Sequence, residues 1–236
     1  MRPQPSGIVG KIEFEVLLAA LIVAGGLWGF VELMEVARDG APHGFDTEIL
    51  LALRTPGDLA TPIGPRWLPD AMRDLTSLGS AAVLVFITAA AIFYLLVERK
   101  PLAALLVLVA VAGGQVLSSL LKFGIDRTRP DVVPHLAEVH TMSFPSGHAM
   151  MSAVTFLTLG ALVAQTLPDR ATKIYVLTVA VLATLVVGFS RLYLGVHWPS
   201  DVAAGWCAGA AWAMLCWLAA RWVRRRARAH GNVDAL

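Results

Sequence analysis

Between Lys100 and Lys122 the chain reads Pro101-Leu-Ala-Ala-Leu-Leu-Val-Leu-Val-Ala-Val-Ala-Gly-Gly-Gln-Val-Leu-Ser-Ser-Leu-Leu121, without one charged residue. As a helix rising 1.5 Å per residue this run spans roughly 30 Å, the thickness of a bilayer's hydrocarbon core. Five more uncharged runs flank it: Val16 to Val31, Leu75 to Val97, Ala149 to Leu167, Ile174 to Ser190 and Val202 to Ala220. Each is closed by charged or helix-breaking residues such as Glu15, Asp74, Glu98, Pro168, Lys173 and Arg221. The pattern predicts an all-α polytopic membrane protein, one domain over 1–236, with six spans near 16–34, 78–97, 101–121, 148–167, 174–192 and 201–222. The first run is short and reaches span length by tilting or by snorkelling past Glu32. Arg2 and Lys11 ahead of it fit a cleaved leader, but Glu32 and Glu35 behind it, with no clear small-residue cleavage site, favour a retained helix.

Composition agrees. Hydrophobic residues make up 57% of the 236 and charged residues 15%, with a mean hydropathy of +0.67. A soluble domain carries about 25% charged residues, so a hydrated globule, a disordered chain and a disulfide scaffold are all excluded as readings. A net charge of +2 is too mild for a nucleic-acid partner. Cys207 and Cys216 fall in one apolar run, about 13.5 Å apart on a helix, too far to form a disulfide.

With six spans both termini share a side, and that side collects eleven of the nineteen Lys and Arg, including Arg224, Arg225 and Arg226. The excess of cations predicts cytoplasmic termini in the plasma (inner) membrane. The 35–77 loop then faces the periplasm or exterior. Asp46 is placed to cap a turn carrying Ile49, Leu50 and Leu53, and Pro69 to start a helix through Leu75, both amphipathic and resting on the membrane surface.

The same ordering sends Lys122, Arg129, Ser146, His148, Arg191, His197 and Asp201 to one membrane face. Three or four cations, two histidines and a carboxylate there suit an anion, phosphate above others, because arginine forks match phosphate oxygens. Pro145-Ser146-Gly147-His148 stands where the fourth span starts. A helix N-terminus offers unpaired N–H groups, Gly147 admits close backbone approach, and Ser146 either donates its hydroxyl or caps the helix. Alone, the block also reads as a simple turn. His197 and Asp201, four apart, suit a histidine nucleophile held in one tautomer by a carboxylate, or else a capping Asp beside an interfacial histidine.

The spacing Lys122-x6-Arg129-Pro130, then Pro145-Ser146-Gly147-His148, then Ser190-Arg191-x5-His197-x3-Asp201 resembles the three signature motifs of the type 2 phosphatidic acid phosphatase superfamily at every fixed position. The motifs occupy about a third of the chain, and the six-span reading resembles the family's bacterial membrane branch. The resemblance implies a metal-independent, cofactor-free lipid phosphatase. It implies that His197 attacks phosphorus to give a phosphohistidine, oriented by Asp201, and that His148 protonates the leaving oxygen and then activates water. Lys122, Arg129, Ser146, Gly147 and Arg191 would hold the phosphoryl oxygens, where transition-state charge spreads. Two histidines with ordinary pKa values near 6.5 imply a bell-shaped pH–rate profile around neutrality.

The implied substrate is a lipid phosphate or diphosphate, undecaprenyl diphosphate or phosphatidylglycerophosphate foremost, presented from the bilayer. The alternatives are a lipid phosphotransferase, a lipid A phosphatase, a vanadate-holding haloperoxidase and a non-catalytic binder or transporter of anionic lipid. Asp126, Asp131 and Asp201 form no ligand cluster, so no metal is expected. Outside the motifs, Arg127, His135 and His140 read as solvated loop residues, and His43 and His230 belong to no constellation. Glu32 and Glu35 read as interfacial anchors. Trp67, Trp198, Trp212, Trp217 and Trp222 fit aromatic belts or helix packing. Arg54, Arg66 and Arg73 are the candidates for head-group selection.

Overall fold

The structure is a computed structural model describing residues 6–38, 44–139 and 141–229, with side chains described from Phe14 to Arg226. Arg2, His43, His140 and His230 lie outside the described residues, as do the side chains of Lys11 and Arg228. In chain order the elements are α1 (Ser6–Arg38), α2 (Gly44–Ala52), β1 (Arg54–Thr55), β2 (Asp58–Pro62), α3 (Leu68–Ser77), α4 (Ala81–Val97), α5 (Pro101–Phe123), α6 (Gly147–Thr166), α7 (Arg170–Tyr193) and α8 (Pro199–Ala229). α1, α5, α6, α7 and α8 are each long and apolar enough to cross a membrane. α4 is shorter and joins α3 through a 46° bend, and this bent pair makes a sixth candidate.

Local chemistry sets these boundaries. The uncharged run Leu75 to Val97 is broken at Gly79 and Ser80. Ser80 is extended (φ −71°, ψ 150°), and its hydroxyl accepts from the Val83 N–H at 3.4 Å, an N-cap that starts α4 afresh. α7 begins in the same way, with Asp169 Oδ1 accepting from the Thr172 N–H at 2.8 Å. Pro101 opens α5, where its missing N–H costs nothing. Between α2 and α3 the chain forms a short antiparallel ribbon, with Arg54 opposite Pro62 and Thr55 opposite Asp58. Its turn is Pro56-Gly57, and Gly57 takes φ +85°. The sequence reading held only helices in this segment.

α6 lies at the centre, flanked by α5, α7 and α8, and α1 runs along α8. Where helices touch, small residues let backbones approach, the usual means of packing apolar helices in lipid. A Cβ at Gly205 would lie 2.7 Å from the Ser146 carbonyl oxygen, and one at Gly209 would lie 2.5 Å from that of Met150, so α8 sits directly on the start of α6. Gly188 of α7 receives the Trp206 ring, whose Nε1 donates to the Thr184 carbonyl at 3.1 Å. Trp212 lies on Gly113 of α5 and donates to the Ala110 carbonyl at 2.8 Å. Large apolar side chains such as Leu17, Leu21, Trp28, Phe86, Leu105 and Leu182 point outward, as lipid-facing surfaces do.

Two contacts fix the sense of the helices. Arg221, late in α8, pairs with Glu15, early in α1, at 3.0 Å. Arg224 donates to Gln165 Oε1, near the end of α6, at 3.2 Å. The start of α1 and the ends of α6 and α8 therefore share one end of the bundle. At the opposite end the C-termini of α5 and α7 meet the N-termini of α6 and α8. α2 docks at this second end with Asp46 and Leu50 buried, so α2 is seated on the helices. Asp46 lies inside the first turn of α2, its carboxylate turned toward α8.

Candidate active site

The second end of the bundle brings the three sequence blocks together. Lys122 occupies the last turn of α5, where a cation meets the negative end of the helix dipole. Its Nζ donates to Thr141 Oγ1 and to the Met142 carbonyl, both at 3.1 Å. Arg129, in the following loop, donates from Nε to the Thr141 carbonyl at 2.8 Å and from Nη1 to the Val196 carbonyl at 2.5 Å. Thr141 thus tethers both cations. Arg191, in the last turn of α7, is buried. Its Nη1 reaches Thr76 Oγ1 of α3 at 3.2 Å, and its Nε finds no partner among the described residues.

Ser146 stands at the N-cap of α6, yet its hydroxyl does not cap the helix. Oγ is buried and has no partner among the described residues, while the backbone N–H donates to the Asp201 carbonyl at 3.0 Å. A Cβ at Gly147 would stand 3.7 Å from Lys122 Cε, so this glycine faces the lysine. His148 begins α6 with its ring against Gly79, at the bend between α3 and α4.

The turn from Leu194 to Trp198 presents His197 between α7 and α8. Gly195 makes the turn possible: it takes φ +71°, and a Cβ there would lie 2.6 Å from Arg54 Nη2 and 3.1 Å from the Pro134 carbonyl oxygen. His197 is 2% exposed. Its Nδ1 faces Asp201 Oδ2 at 3.5 Å, and its Nε2 lies 3.2 Å from Arg129 Nη1. A guanidinium only donates, so Nε2 accepts and the ring proton sits on Nδ1, toward Asp201. Burial pushes the His197 pKa down to about 4, against the pull of Asp201, and the Arg129 and Arg191 charges push the same way. The ring is therefore neutral at pH 7. Burial also holds the Arg129 guanidinium below its ordinary value.

Asp201 lies in the first turn of α8 and is fully buried. Oδ2 accepts from the Trp198 N–H at 2.9 Å and from the Ser143 hydroxyl, which is also 3.5 Å from His197 Nδ1. Oδ1 accepts from Arg127 Nη1 at 2.6 Å. Arg127 is therefore no solvated loop charge. It is 6% exposed, donates to Asp46 Oδ2 at 2.8 Å and lies over the Trp198 ring. Thr141, Ser143, Ser200, Asp46 and Arg127 were not among the sequence candidates. Only Arg127 carried a signal, as a second cation two residues before Arg129 in an apolar chain.

Other candidates fall away from the cluster. Arg54 is buried under the Gly195 turn and donates to the Tyr193 carbonyl at 3.0 Å, so it is a structural cation and does not reach a head group. Burial lowers its pKa as well. Arg73 pairs with Asp70 at 2.5 Å and donates to the Leu136 carbonyl, and Arg66 is exposed. His135 is exposed, with Nε2 2.7 Å from the Pro130 carbonyl oxygen. Glu32 and Glu35 are exposed on α1. Among the described residues no group of three or more His, Cys, Asp and Glu side chains is placed to hold a metal. The arrangement joins a neutral, oriented imidazole to fixed cations and unspent donors, which is the equipment for attack on a phosphorus centre.

Known proteins resemble the chain in sequence and in fold. The PAP2 superfamily model matches residues 103–225. Phosphatidylglycerophosphatase B of Bacillus subtilis is 36% identical over 149 residues, 61% of this chain and 70% of the relative. Undecaprenyl-diphosphatase of Sulfolobus acidocaldarius is 37% identical over 67 residues, 28% of each chain. Among solved structures, the transmembrane PAP2-type phosphatidylglycerolphosphate phosphatase from Bacillus subtilis superposes with a TM-score of 0.74 at 28% identity, over 86% of this chain and 98% of that one.

Proposed function

This chain belongs to the PAP2 superfamily and is one of its multi-pass membrane phosphatases, and from that premise we propose that it hydrolyses a lipid phosphate or diphosphate through a phosphohistidine on His197. The observation that carries the reading is the position of His197 Nε2, 3.2 Å from Arg129, with Nδ1 turned to Asp201. An arriving phosphoryl group takes over the Arg129 donor through its oxygen and brings phosphorus to Nε2. The P–O bond to the lipid breaks as the N–P bond forms, and His148 delivers a proton to the departing oxygen. His148 then removes a proton from the water that cleaves the N–P bond and releases phosphate. Lys122, Arg129, Arg191, the Ser146 hydroxyl and the Gly147 N–H hold the three equatorial oxygens. Burial of His197 moves the acid limb of the pH–rate profile toward pH 4, well below the neutral region expected of an exposed histidine.

Phosphatidylglycerophosphate and undecaprenyl diphosphate are the favoured substrates, after the similar proteins named for acting on them. A site at helix ends suits a head group that leaves its tails in lipid. The cation excess at the opposite end supports a site facing the periplasm or exterior of the plasma membrane, with cytoplasmic termini. The test is free phosphate release from a panel of purified lipid phosphates in detergent, with and without EDTA. Turnover on one or both favoured lipids, unchanged by EDTA and abolished in a folded His197→Ala variant, is the expected result. Turnover that survives His197→Ala overturns the nucleophile assignment.

A further inference from the structure

Asp201 faces the nucleophile with one oxygen and something else with the other. Its Oδ1 is held by Arg127 Nη1 at 2.6 Å, and the other arm of the same guanidinium, Nη2, is held by Asp46 Oδ2 at 2.8 Å. Asp46 also accepts from Ser200, the residue before Asp201: the Ser200 N–H reaches Oδ1 at 2.8 Å and the Ser200 hydroxyl reaches Oδ2 at 2.6 Å. Asp46, Ser200 and Asp201 are each at most 1% exposed, and Arg127 6%. Three separate stretches of chain thus converge behind the dyad: α2, the loop after α5, and the first turn of α8. The contacts of Arg127 and Asp46 run to each other, to Ser200, to Asp201 and to the Trp198 ring, and the chemistry proposed above uses neither.

Their arrangement has an electrostatic consequence. A lone arginine beside Asp201 would draw the carboxylate's negative field away from His197, at the moment when that ring gains positive charge by bonding phosphorus. A second carboxylate on the far arm of the guanidinium balances Arg127, and the trio keeps one net negative charge to face the imidazole. In a buried setting such charges are screened less than in water. The fork also fixes the rotation of Asp201, since holding Oδ1 leaves Oδ2 directed at Nδ1. We propose that Asp46 and Arg127 are positioning residues that extend the His197–Asp201 pair into a chain of four, in which Asp46 governs the aim and the effective charge of Asp201. The proposal rests on His197 being the nucleophile.

The test is a double-mutant cycle on the full-length protein in detergent. It compares wild type, Asp46→Asn, Asp201→Asn and the double variant, by phosphate release from the best lipid of the panel and by thermal unfolding. The expected result is a fall in kcat of about 10- to 100-fold for Asp46→Asn, the usual scale for a group that orients a catalytic residue, with KM within twofold. In the Asp201→Asn background the same change is then silent, because a residue acting through Asp201 has nothing left to act on. Effects that multiply overturn the proposal, as does a loss that only tracks the unfolded fraction. Should Asp46→Asn fail to fold, the cycle is run with Arg127→Lys, which keeps the charge and cannot span two carboxylates, and the same two outcomes decide. His197→Ala is assayed alongside. Surviving turnover there removes the nucleophile itself, whereas lost turnover with multiplying effects removes only the outer pair.

Discussion

Ser146 separates catalysis from stability more cleanly than its neighbours. Its hydroxyl is buried without a partner among the described residues, and an unpaired buried hydroxyl costs folding about 1–3 kcal/mol. Ser146→Ala removes that cost along with the donor proposed for the phosphoryl group. The expected outcome is a melting temperature equal to or above that of the parent and a kcat/KM lower by about 10²-fold, the scale for losing one fixed donor. Thermal unfolding and phosphate release on one preparation check both halves, and a fall in stability with intact turnover contradicts the role. The motif residues were legible in the sequence because charge is scarce and the order of spans sends Lys122, His148, Arg191 and His197 to one end. Arg127 was not. Its partners are Asp46, 81 residues earlier, and Asp201, 74 residues later, and no local spacing announces a pairing at such separations. A second cation beside Arg129 was a signal too weak to name its partners, and it reads as solvated until the fold covers it.

At the level of elements, the site depends on how closely α8 meets α6. Gly205 and Gly209 put one face of α8 against the carbonyls of Ser146 and Met150, and that backbone contact sets the distance from His197 and Asp201 to Ser146 and His148. Gly205→Val forces the helices apart. It is expected to destabilise the protein by about 1–3 kcal/mol, as overpacking does, and to lower kcat even in the fraction that stays folded. Gly25→Ala is the matched control, because a Cβ there meets nothing within 4 Å. Equal behaviour of the two variants would contradict the account. Hydropathy located the long helices, since a bilayer demands long uncharged runs and the sequence shows where they stop. It separated a helix ending at Leu75 from a span starting at 78 but set the break a few residues ahead of Gly79 and Ser80, because two small uncharged residues leave no mark on an apolar run. It also passed over the ribbon after α2, although Pro56-Gly57 is a turn signal of the ordinary kind.

For the molecule as a whole, the ion pair between Glu15 and Arg221 and the meeting of Gln165 with Arg224 put the start of α1 and the end of α8 opposite the site. With Arg221, Arg224, Arg225 and Arg226 in the last helix, the excess of cations predicts that this end is cytoplasmic. A fluorescent protein fused to the C-terminus should fold and emit, and a single cysteine replacing exposed Leu59 on the ribbon should label in intact cells with a membrane-impermeant maleimide. A dark fusion and a protected cysteine would reverse the orientation. The orientation was legible only as a bias in charge, whereas the meeting of the start of α1 with the end of α8 follows from the packing.

The segment that joins α1 to α4 is pinned to this frame along its length: Asp46 holds Arg127 and Ser200, Arg54 holds the Tyr193 carbonyl, the Ile63 carbonyl accepts from the Tyr193 hydroxyl, Arg73 donates to the Leu136 carbonyl, and Thr76 meets Arg191. Between Arg54 and Ile63 the ribbon from Gly57 to Thr61 is exposed. In evolutionary terms the anchors and the stretches between them live under different rules. A substitution at an anchor disturbs the helix ends that carry the candidate site, while the ribbon tip is free to drift, lengthen or change charge. A lineage adapting to a new head group therefore has a stretch of surface beside the site on which to experiment while the chemistry stays as it is.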